Sequence, residues 1–128
     1  MSKHEKPMIL RYWEHVGGTL RLEYQIVPRS PGVGRRLVDA VIIADGERRI
    51  ASPGEKISLD GHDVIIVQAK MDRLGMYLLG QAFFSRELVR TRFKPKSVRT
   101  VALCTADDAV LRPVAEGFEV EVAIDEHG

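Results

Sequence analysis

Apolar positions along the chain follow two periods. Over residues 7–16, PMILRYWEHV, Ile9, Tyr12, Trp13 and Val16 recur at helical spacing; Pro7 suits a first turn and Gly17-Gly18 a stop. Residues 19–28, TLRLEYQIVP, alternate and end at Pro28, which predicts a strand with one wetter face. The Pro and Gly of 29–36, RSPGVGRR, predict a loop. Residues 37–44, LVDAVIIA, are almost continuously apolar, the mark of a strand buried on both faces. A polar connection over 45–61, with a short β segment expected at Lys56–Leu59, leads to a second such strand at 62–70, HDVIIVQAK. Residues 73–93 form the longest helical candidate. It is apolar around most of its circumference, so MYLLGQAFF reads as mostly core, with Tyr77 inside and Gly80 permitting close helix packing. Its basic end suits the helix dipole, and Pro95 closes it. A core strand at 97–105, a short helix within 107–117 and an alternating strand at 118–124 complete the order α-β-β-β-α-β-α-β. The first three strands suit a meander, and the later strand–helix–strand passages favour parallel neighbours. The expectation is one α/β domain over 1–128, a central mixed sheet flanked by helices.

Length and composition agree. The chain has 128 residues, 45% of them hydrophobic and 29% charged, as in an ordinary globular domain. No apolar run reaches the ~18 residues of a membrane span, and MSKHEKPMIL lacks the apolar core and cleavage site of a signal peptide. The single cysteine, Cys104, excludes an internal disulfide and sits in an apolar strand as an inert core thiol. A cytoplasmic protein is expected. Four scattered histidines make no zinc pattern. The net charge of +1 announces no nucleic-acid partner, yet basic residues concentrate between Arg86 and Arg99, with Glu87 the one acid among them.

Asp39 stands inside the apolar run LVDAVII. A carboxylate there is costly unless a partner, a metal or a task accounts for it. On the strand 62–70, Gln68 and Lys70 share a face because side chains alternate. If the two strands are neighbours, Asp39, Gln68 and Lys70 converge. Asp39 then offers a carboxylate oxygen, Gln68 an amide oxygen and Ala69 a main-chain carbonyl, all suited to a hard cation such as Mg²⁺ or Mn²⁺. Lys70 is placed to orient water or stabilise charge on a phosphoryl group.

VDAVII followed, some thirty residues later, by VIIVQAK and a long helix resembles the PD-(D/E)xK nuclease superfamily. The resemblance covers about residues 7–105. It implies a restriction-endonuclease-like core, α-β-β-β-α-β, and metal-dependent phosphodiester hydrolysis of DNA at Asp39, Gln68 and Lys70. Members often carry a Glu on the first helix, matched by Glu14, and several branches carry a Gln on the helix after the lysine strand, matched by Gln81. Glu23 is an alternative second acid. Here the acid of the motif is Gln68, which removes one negative charge from the implied metal site.

The implied nucleic-acid contacts are Arg35 and Arg36 in the loop, with Arg86, Arg90, Lys94 and Lys96 in the basic run. PGVGRR lacks the third glycine and following helix of a phosphate cradle and reads as a hairpin loop. So small a chain leaves little surface for target recognition, which implies a homodimer or a larger protein partner. Two other readings compete. One is a catalytically inactive nuclease-fold domain that binds nucleic acid or a protein partner. The other is an unrelated α/β binding module in which Asp39 and Lys70 form a buried ion pair.

Overall fold

The computed structural model describes residue 1 and residues 3–127. The element order is α1 (Glu5–Val16), β1 (Thr19–Val27), β2 (Arg36–Ile43), β3 (Arg49–Ile50), β4 (Asp63–Ala69), α2 (Met76–Arg92), β5 (Ser97–Cys104), α3 (Leu111–Gly117) and β6 (Val120–Ile124). The protein is an α/β domain with a six-stranded mixed sheet in the order β3-β1-β2-β4-β5-β6. β1, β2 and β4 form the antiparallel meander, and β4, β5 and β6 run parallel. The β segment expected at Lys56–Leu59 does not form. Instead Arg49–Ile50 pairs parallel with the start of β1, while Leu59 turns inward as a buried anchor.

Alternation along the central strands gives each face its own core. Ile65 and Val67 of β4 join Ala40 and Ile42 of β2 beneath Met8 and Ile9 of α1. Val64 and Ile66 join Val41, Ile43 and Val38 on the opposite side with Val89 of α2. A third cluster packs Leu78 and Ala82 of α2 with Ala102, Cys104 and Ala115. Burying a core aliphatic side chain contributes about 1.5–3 kcal/mol, so these three layers supply the main favourable term of folding. The Cys104 thiol lies inside, and burial raises its pKa. No helix among the described residues is long and apolar enough to cross a membrane.

The alternation breaks at one place. Val38 faces the α2 side and Ala40 the α1 side, although they are two residues apart. The pairs Leu22–Ala40 and Tyr24–Val38 put Glu23 across from Asp39. Glu23 has φ 52°, in the left-handed region that a residue with a side chain seldom adopts.

The outer face of α2 departs from the sequence expectation. Tyr77 is 78% exposed and Gln81 is exposed as well. The helix is apolar on more than its inner side, and the sheet covers only one stripe of it.

Candidate functional site

The site lies where β2 and β4 part. Their ladder ends at Ala40–Val67. Beyond it, side chains replace the main-chain bonds. The Asp39 carboxylate oxygen Oδ2 accepts the N–H of Ala69 at 2.8 Å, and the Gln68 oxygen Oε1 accepts the N–H of Asp39 at 3.3 Å. The Gln68 amide nitrogen donates to Ser85 Oγ of α2 at 2.9 Å. Ser85 sits on the inner face of α2, so this bond ties the helix to the end of the sheet.

Asp39 is half-buried. Desolvation raises its pKa above the ordinary aspartate value; the Ala69 N–H and the chain's terminal ammonium oppose that rise, and Glu5 and Glu23 add to it. Among the described residues Asp39 Oδ1 makes no hydrogen bond and joins no buried orphan atoms. In an extended strand a residue's N–H and C=O point to the same edge. The Ala69 carbonyl therefore faces the gap that Asp39 spans. One residue on, Lys70 donates its own N–H to Leu103 of β5 while its side chain stands exposed. Among the described residues its ammonium joins no ion pair, so the buried Asp39–Lys70 pair of the third reading does not form.

Asp39, Gln68 and Ala69 thus come together; Lys70 follows Ala69 in the chain, but its charge is not among those that act on Asp39, and Gln81 stands with Gln68 on the α2 side. Gln81 lines a cleft of about 440 Å³ with Arg36, Gln68 and Tyr77. Gln68 is 4% exposed; its amide nitrogen turns toward α2, and its oxygen meets the Asp39 N–H.

Glu14 does not join them. It lies nine residues beyond Glu5 on α1, about 13 Å of helix rise, exposed beside Arg11, His15 and Asp125. The acids whose charge reaches Asp39 are Glu5 and Glu23. Glu5 was missed because helix periodicity marks a face and not which end of the helix meets a given strand. Among the described residues no group of three or more His, Cys, Asp or Glu side chains is arranged to hold a metal ion.

The basic run disperses. Arg86 is 4% exposed; it donates to the carbonyls of Phe118 and Glu119 and to Glu87. Arg90 also pairs with Glu87. Arg99 pairs with Glu121, and Arg92 bonds the Ile26 carbonyl. Lys94 and Lys96 precede β5 at the end where Ser97 meets Asp63. That is one strand length, about 20 Å, from Ala69. Arg35 and Arg36 stay at the site end, because β2 begins where the antiparallel β4 finishes. Both are exposed.

Compared with protein-family models, with curated proteins and with solved structures, the chain matches none.

Proposed function

We propose that this protein is a metal-dependent phosphodiesterase of the PD-(D/E)xK type acting on DNA. One observation carries the reading. The β2–β4 ladder ends before Asp39 and Ala69, so a half-buried carboxylate and a strand-end carbonyl face one another there, and the exposed Lys70 is the next residue of the chain. The run of α1, β1, β2, β4, α2 and β5, with the first three strands antiparallel and the last pair parallel, supports a restriction-endonuclease-like core. So does the left-handed Glu23 across from Asp39. Backbone strain of this kind clusters at functional sites.

The donor set suits Mg²⁺ or Mn²⁺. Both protein donors are oxygens, and such ions take one or two carboxylates with water and phosphate oxygens in the other positions. The cation would polarise the scissile phosphoryl group and neutralise its charge. Asp39 would hold it, fixed in place by the Ala69 N–H. Lys70 would donate hydrogen bonds to a nonbridging phosphate oxygen, where negative charge grows as the bond breaks. Gln68 would keep Asp39 and α2 in register, and Gln81 would border the cleft. Arg35 would bind a flanking phosphate.

A second reading, a silent domain of the same fold that binds nucleic acid or a protein partner, is favoured by Gln68. It replaces an acid, and both ends of its amide are engaged within the protein. Incubating DNA with the protein and Mg²⁺ or Mn²⁺ separates the two. Cleavage that Asp39→Asn abolishes supports the first. DNA binding without cleavage leaves the second.

A further inference from the structure

The outer face of α2 carries an apolar surface that nothing among the described residues covers. Met76 and Tyr77 are each 78% exposed, Phe84 66%, Phe118 61%, Val114 57% and Leu37 43%. They are contiguous. One cleft runs from Leu37 past Tyr77 to Phe84, and a second runs from Phe84 past Val114 to Phe118, with Gly80 lining both. At ~100–250 Å² for each fully exposed side chain, these six present about 700 Å² of surface. A monomer's largest apolar patch is about 300–600 Å², and a stable interface needs about 800 Å² from each partner.

Gly80 is the second observation. It stands inside a helix, where glycine is destabilising relative to alanine. A Cβ at this position would meet no neighbouring atom within 4 Å, so nothing inside the chain requires the missing side chain. Close approach of a body from outside would require it.

Charge selects the occupant. The Leu37 end of the surface carries Arg36, and the Phe118 end carries Glu119 and Glu116, the latter only loosely paired with Arg112 at 3.9 Å. All three are exposed. A two-fold axis lying in the face and crossing it at Gly80 lays the basic end of one copy on the acidic end of the other. The same rotation brings Phe84 of each copy toward Met76 and Tyr77 of the other, so the same patch serves both copies, as an isologous interface demands. Acids at one end disfavour a nucleic-acid strand along the whole surface. We infer that this face pairs with a second copy of the chain, the two α2 helices meeting at Gly80. The inference does not depend on the catalytic reading.

Light scattering after gel filtration of the full chain at micromolar concentration tests it. The expected mass is twice the chain's 14.4 kDa. Phe84→Glu and Gly80→Arg change positions on this outer face, and circular dichroism checks that both remain folded. Each is expected to raise the dissociation constant by about tenfold or more. Glu116→Arg is expected to weaken the dimer and Arg36→Glu, added to it, to restore it. A parent that keeps the single-chain mass at every concentration would overturn the inference. A dimer unchanged by Phe84→Glu and Gly80→Arg would do the same. So would a monomeric parent whose binding to single-stranded DNA is lost in Phe84→Glu, which would assign the face to nucleic acid.

Discussion

The carboxylate of Asp39 accepts the main-chain N–H of Ala69 at 2.8 Å and so occupies the place of a strand carbonyl in a ladder that ends one pair earlier. This bond fixes Asp39 at the end of the β2–β4 ladder without using its second oxygen.

Burying the Asp39 carboxylate costs stability when it is ionised. Burial raises its pKa in the folded state, so the folded chain binds this proton more tightly than the unfolded chain does. Its contribution to stability is therefore fully present below the unfolded pKa and fades as pH rises through the folded one. An asparagine side chain in its place would still accept the Ala69 N–H without carrying charge. Asp39→Asn is expected to melt no lower than the parent at neutral pH, with any advantage shrinking as pH falls, while heat release on Mg²⁺ or Mn²⁺ titration disappears. Calorimetry at several pH values checks both halves.

Gln68 can be returned to the acid of the motif. Gln68→Glu keeps the shape, and the Ser85 hydroxyl can donate to the new oxygen in place of accepting from the amide. The change buries a second carboxylate near Asp39, so the metal-free protein is expected to lose about 1–3 kcal/mol. Added Mg²⁺ is expected to restore melting temperature, because an ion that binds only the folded state stabilises it by mass action. A variant that melts like the parent and ignores Mg²⁺ would show that position 68 does not face a cation.

Arg86 is structural and Arg35 is available. Arg86→Met leaves the Phe118 and Glu119 carbonyls without this donor, while Glu87 keeps Arg90. A loss of about 2–4 kcal/mol in urea unfolding is expected, with no change in DNA affinity of the folded fraction. Arg35→Ala is expected to leave stability nearly unchanged and to lower the salt slope of DNA binding by about 1, one phosphate contact. Lys94→Ala and Lys96→Ala, at the far end of β4, should alter neither.

Strand identity was legible because β2 and β4 are buried on both faces, and continuous apolar runs announce that directly. In VIIVQAK the alternation put Gln68 and Lys70 on one face, yet Gln68 stays buried against Ser85 and only Lys70 reaches solvent. Other features lay outside any local pattern. Glu14 and Glu5 sit on the same helix, and only the docking of α1 decides which end approaches Asp39. The cations from Arg86 to Arg99 look like a single patch in one dimension. In the folded chain they divide among the inner surface of α2, two acidic partners and the wrong end of the sheet. Tyr77 and Phe84 resemble core residues in composition, and their exposure follows from where the sheet ends.

A catalytic role for the gap between β2 and β4 makes cleavage depend on Lys70. Its side chain is exposed and Lys70→Ala should fold as the parent does. Plasmid, linear and single-stranded DNA are incubated with parent and variant in Mg²⁺ or Mn²⁺. The account predicts cleavage by the parent and a loss of about 10²–10³-fold in the variant, the effect of removing one charge-stabilising donor. Equal cleavage by both proteins, or none by folded parent with either metal, would contradict it.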